Sequence, residues 1–211
     1  MKYLLKNKSI LFNGVILLGF VYFFWLMLKI TFYYIPFSST ANFLQIKQTE
    51  VEQRPEYLSL FYIHVYSSIF VLLFGFFVMF ISKKYIVFHR ISGKIYVLFT
   101  LFLASLSGVY IGFFANGGFW SKLSFILLGL FWFYSTLKAF LEVKKGNINK
   151  HQQWMWRSYA LCCSAITLRL WKVILVYLFQ PNPMDVYQII AWLGWVPNWL
   201  LIEYLIIKRK K

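Results

Sequence analysis

Six stretches of this 211-residue chain are each apolar for roughly the 20 residues that a helix needs to cross a bilayer, and nothing else in the sequence constrains the fold so tightly. They run approximately from Ile10 to Tyr33, Leu58 to Ser82, Ile95 to Ala115, Leu123 to Val143, Trp154 to Phe179 and Val186 to Ile207. In hydrocarbon every backbone N–H and C=O must be satisfied within the segment, so such runs fold as helices. The composition agrees: 61% apolar, 23% aromatic and only 13% charged residues do not make a soluble core and shell. The expected fold class is all-α, one polytopic transmembrane domain of six helices over residues 1–211, with an external loop at 34–57. The first run follows the basic start MKYLLKNK but is too long for a signal h-region and lacks a cleavage site, so it reads as a retained helix.

A net charge of +16 raises the question of nucleic acid, and its distribution answers it. With the N-terminus inside, sixteen of the 22 Lys and Arg residues fall on one side, and Lys29, Lys47, Arg54, Lys122, Arg169 and Lys172 on the other. That is the positive-inside asymmetry, which places both termini in the cytoplasm. The expected partners are the bilayer and its anionic headgroups, with no nucleic acid. The neighbouring Cys162 and Cys163 diverge by about 100° on a helix and read as packing residues.

The polar groups fall into stripes. On an ideal helix His151 and Arg169 project on one line, about five turns and roughly 27 Å apart. Met155, Ser158, Cys162 and Ala165 lie between them on that line. A face of polar and small residues belongs in the bundle interior. The second helix adds His64, Ser68, Val71 and Gly75; the third, started near His89, adds Gly93, Tyr96, Thr100 and Ser107. Ala104, Gly108 and Gly112 give the third helix a small-residue contact face. Depth separates two clusters: an inner one of His89, Arg90, His151, Arg157 and Glu203, and an outer one of His64 and Arg169 with Lys172. Interfacial anchoring also accounts for Arg90, Arg157 and the two inner histidines, and simple ion pairing for Glu203. Arg169 is different, because a permanent charge deep in a helix needs a partner or a wet cavity. The long external loop carries turn chemistry at Pro36 to Thr40, then ANFLQIKQTEVEQ as a short interfacial helix before Pro55, placed to cap the outer mouth.

The strings FYIHVYSSIFVLLFG, FHRISGKIYVLFTLFLASLSGVYIG, KAFLEVKKGNINKHQQWMWRSYALCCSAITLR and AWLGWVPNWLLIEYLI, in order from Phe61 to Ile206, resemble a bacterial family of predicted multi-pass membrane proteins, the domain of unknown function 2306. The resemblance implies that His64, His89, Arg90, Gly93, Tyr96, His151, Trp154, Met155, Arg157, Ser158, Tyr159, Arg169, Pro197, Asn198 and Glu203 stand at motif positions. It implies a basic residue where this chain has Gln153. It also implies a bacterial inner-membrane location, and it lends no activity.

Two function classes follow. In the first, the protein is a haem- or quinone-binding electron carrier: His89 and His151 are axial ligands of a b-type haem, Arg157 or Arg90 meets its propionates, and His64 with Arg169 forms an outer quinone or second site. In the second, it is a small transporter, lipid handler or accessory of a membrane complex that holds an anionic group at Arg169 and His64. Glu203 serves in either as a proton or charge partner. No helix carries a paired-histidine or histidine-carboxylate metal signature, and no phosphate loop or nucleophile elbow occurs, so whether the chain is an enzyme stays open.

Overall fold

The computed structural model describes residues 2–81, 85–180 and 183–209, with side chains from Gly14 onward apart from those of 81–84 and 181–184. Of the cations counted above, Lys83, Lys84, Lys210 and Lys211 lie outside the described residues, as does Ser82; the side chains of Lys2, Lys6 and Lys8 are likewise not described.

The described chain is all-helical, with six helical units long and apolar enough to cross a membrane. They are α1 (Lys2–Phe32), α3 (Pro55–Phe76), α4 (Ile86–Phe99) with α5 (Ser105–Gly112), α6 (Gly118–Lys144), α7 (Ile148–Cys162) with α8 (Ser164–Phe179), and α9 (Pro183–Leu193) with α10 (Val196–Lys208). Between α1 and α3 the chain forms a 3-10 turn at Asn42–Lys47 and the short α2 (Gln48–Gln53). We call the end of the bundle that carries this segment the loop end and the opposite one the termini end. The third unit starts at Ile86, not near Ile95 as the apolar run suggested. Its first turns are amphipathic, and the charges of Arg90 and Lys94 depress a hydropathy window without breaking the helix.

Apolar side chains gain little by leaving lipid for one another, so a membrane bundle is held by close packing and hydrogen bonds. This one is built accordingly. Its outer surface is Leu18, Phe102, Leu200 and similar residues, while Ser92, Thr100, Ser105, Ser121, Ser124, Ser135, Thr136 and Ser158 are almost wholly inside. Ser135 and Thr136 bond back to the carbonyls of Phe131 and Trp132, so each hydroxyl is satisfied within its own helix. At mid-depth Ser158 joins three helices, lying 2.6 Å from the Tyr96 hydroxyl and 2.7 Å from that of Thr136. Gly75 makes room beside them, because a Cβ there would lie 2.6 Å from the Tyr159 ring.

Four of the six units are irregular within their spans, the second ending in a π turn at Phe77–Ile81. The third passes through a π turn at Thr100–Ala104. The fifth breaks at Cys163 and the sixth at Gly194 and Trp195. The last two breaks lie against each other: Gly194 packs so tightly that a Cβ would come 2.9 Å from Leu168 Cβ. Thr167 donates to the Gly194 carbonyl at 2.5 Å, and Asn198 Nδ2 donates to Thr167 Oγ1 at 3.0 Å and to the Ala160 carbonyl at 3.2 Å. Pro197 sits at the start of α10, where its missing N–H costs nothing.

The segment between α1 and α3 folds down over the loop end. Leu44 is fully buried, and Lys47 Nζ bonds Glu50 at 2.7 Å and the Phe114 carbonyl at 2.5 Å, tying the segment to the turn after α5. Tyr66 donates to the Tyr34 carbonyl at 2.7 Å, and the Tyr62 hydroxyl both donates to and accepts from the Ser38 backbone at 2.9 Å.

Candidate functional site

Beneath this cover lies a cavity of about 440 Å³, within the range of small-ligand sites. α1 gives it Ile30, the turn after α1 gives Tyr34, α3 gives Phe61, His64, Ser68 and Leu72, and α5 gives Gly108. Trp132 of α6 and Cys162 of α7 lie toward the bundle centre, Leu168, Arg169 and Lys172 come from α8, and Tyr187 and Ile190 from α9. The walls are mainly apolar, and among the described residues no Asp or Glu lines them. The cavity runs alongside two of the backbone irregularities, with Ser105 at the π turn and Cys162 and Ser164 flanking the Cys163 break. Non-helical backbone at membrane depth is tolerated where protein buries it or where it borders a cavity.

His64 is held by the π turn. Its Nδ1 lies 2.8 Å from the Ala104 carbonyl, which can only accept, so Nδ1 carries the proton. In the neutral ring Nε2 is then left as an acceptor. Gly108 leaves space for the ring, since a Cβ there would stand 2.9 Å from His64 Cε1. Gly108→Ala is therefore expected to push the imidazole off Ala104 and to destabilise the protein by about 1–2 kcal/mol. Gly93→Ala, with nothing within 4 Å of the added carbon, is the matched control in a thermal unfolding measurement.

Arg169 reaches the cavity from the other side. Its Nη1 donates to the Ala165 carbonyl at 2.6 Å, a bond to its own helix that supplies no counter-charge. The phenols of Tyr34 and Tyr187, uncharged at neutral pH, and the imidazole of His64 line the same cavity. Burial raises the Tyr34 phenol above its ordinary pKa, opposed by a bond at the Phe43 backbone and by the Arg169 charge. Lys172, one turn on, is exposed and completes the cationic side.

The outer cluster of the sequence reading is thus assembled: His64, Arg169 and Lys172 line one cavity. The inner residues are arranged differently. His89 and His151 each lie about two turns before Tyr96 and Ser158, which bond each other, so the two imidazoles share a depth on adjoining faces. Neither lines the cavity. His151 Nδ1 is 2.8 Å from the Ala139 carbonyl, His89 is half-buried and engaged, and Arg90 is exposed. Arg157 grips Glu203 with two bonds, Nε to Oε1 at 2.5 Å and Nη2 to Oε2 at 2.8 Å, and stacks over Trp154 at 4.5 Å. Tyr34, Tyr187 and Trp132 were not among the expected site residues. A tyrosine or tryptophan in an apolar chain reads equally well as interface belt or packing. Ser68 lay on the predicted stripe, one turn from His64, without being marked as a site residue.

Neither the curated proteins nor the solved structures contain a match to this chain. A family model described as "Predicted membrane protein (DUF2306)" matches residues 61–206, a range that takes in His64, Arg169, both inner histidines and Glu203. The chain belongs to that family of membrane proteins of unknown function.

Proposed function

We propose that the protein binds an amphiphile with an acidic headgroup, such as a fatty acid or a lipid phosphate, and handles it within the membrane. The observation that carries this reading is the Arg169 guanidinium, set in an apolar cavity whose described lining holds no carboxylate. An uncompensated buried charge is costly, and a ligand anion supplies what the protein does not. The guanidinium fork suits a carboxylate or phosphate, and the apolar walls suit a chain. The charge asymmetry supports a cytoplasmic termini end in a bacterial inner membrane, which sets the cavity in the outer half of the bilayer.

The haem reading has less support. It rests on His89 and His151, which do not line the cavity, and its propionate partner Arg157 is taken by Glu203. A Soret band from protein prepared with haem supplied, lost in His89→Ala or His151→Ala, would restore it. The test of the lipid reading is to purify the protein in mild detergent, extract what it carries and identify it by mass spectrometry. Acidic amphiphile is expected in the wild type and at least tenfold less in a folded Arg169→Ala variant, with Arg169→Lys in between. Equal amounts in the wild type and Arg169→Ala would overturn the proposal.

A further inference from the structure

The cavity holds a second polar feature besides its cationic side. Ser68 Oγ is buried and has no hydrogen-bond partner, although Ser68 lines the cavity. Two other hydroxyl residues that line the cavity are satisfied: Thr31 donates to the Met27 carbonyl at 3.0 Å and Ser105 to that of Thr100 at 2.6 Å. Ser68 does not close back onto its own helix in this way. The carbonyl four residues earlier, that of His64, is instead approached by Ser67 Oγ at 3.4 Å. A buried hydroxyl left open costs about 1–3 kcal/mol, so a partner of some kind is called for. Ser68 is four residues after His64 on α3, on the same face and about 6 Å further along the axis toward the bundle centre. The imidazole acceptor and this hydroxyl therefore form a short polar step on an apolar wall, deeper than the loop-end cover, in the cavity that Arg169 also lines.

We infer that Ser68 selects the ligand: the acidic amphiphile carries a second polar group, a hydroxyl or carbonyl on its chain, which hydrogen-bonds Ser68 while the acid meets Arg169. The inference rests on the lipid reading above and narrows its ligand class. A site built to bond a polar group discriminates against the analogue that lacks it, because its own group is then left unpaired. One such bond corresponds to about tenfold in affinity.

The experiment measures binding of palmitate and of a panel of its monohydroxylated isomers to the detergent-solubilised full chain, for the wild type, Ser68→Ala and Arg169→Ala. The expected result is that at least one hydroxylated isomer binds the wild type about tenfold more tightly than palmitate. Ser68→Ala should bind palmitate as well as the wild type does and lose the preference, while Arg169→Ala loses both ligands. If the wild type binds palmitate and every isomer alike, Ser68 has no selecting role and the lipid reading stands without it. A preference that survives in Ser68→Ala would also overturn the inference. Failure of the wild type to bind any of these acids overturns the inference, and the extraction experiment above then decides the lipid reading by itself.

Discussion

Asn198→Leu is expected to lower the stability of the folded bundle by about 2–4 kcal/mol, one of the largest effects of any single substitution outside the apolar packing. Asn198 donates one N–H to Thr167 Oγ1 at 3.0 Å and reaches the Ala160 carbonyl at 3.2 Å, while Thr167 passes its own proton to the Gly194 carbonyl at 2.5 Å. Leucine keeps the volume and deletes both donors. The Ala160 carbonyl, beside the break at Cys163, is then left bare in a medium without water, and the Thr167 bond loses the polarisation that Asn198 gives it. For a chain of this size the loss corresponds to a fall in midpoint of roughly 4–16 °C. Thr167→Val should cost a similar amount, and the double variant clearly less than the sum, because the two side chains form one relay. Additive losses would mean that the two act separately.

Glu203→Leu is expected to cost about 2–3 kcal/mol, through the cation it strands rather than the contact it removes. The side chains of Arg157 and Glu203 are 14% and 29% exposed, so both are largely withdrawn from solvent, and the pair is bidentate. Without the carboxylate, Arg157 keeps only its stacking on Trp154. The diagnostic variant is the double one: Arg157→Leu with Glu203→Leu should recover much of the loss, since a buried pair replaced by apolar residues is often neutral. Thermal unfolding of the four proteins completes the cycle. If Glu203→Leu matches the wild type, the bond does not contribute to stability.

Much of this architecture was legible in the sequence because its causes are local. Six apolar runs give six spans, and the four-residue spacing of His64 and Ser68 puts both on one face whatever lies opposite. Arg169 was identifiable because the cost of a deep charge does not depend on knowing its neighbours. The break at Cys163 was not legible. The run ALCCSAIT contains no Gly or Pro, and the helix parts there with Asn198 taking the Ala160 carbonyl from another span. The break in the last span left a clearer trace in Gly194 and Pro197. Tyr34 and Tyr187 were not legible because the cavity joins the turn after α1 to α9, which lie far apart in the chain.

The joint between the two breaks has a mechanical consequence. Helices are stiff along their length, so compliance in a bundle collects where the ladder is interrupted. Here two interruptions are coupled through Thr167 and Asn198, while α6 runs unbroken from Gly118 to Lys144. The arms α8 and α9, which bring Arg169 and Tyr187 to the cavity, therefore share one anchor, and Ser124 fastens α9 to the unbroken α6 by donating to the Ala191 carbonyl at 2.8 Å.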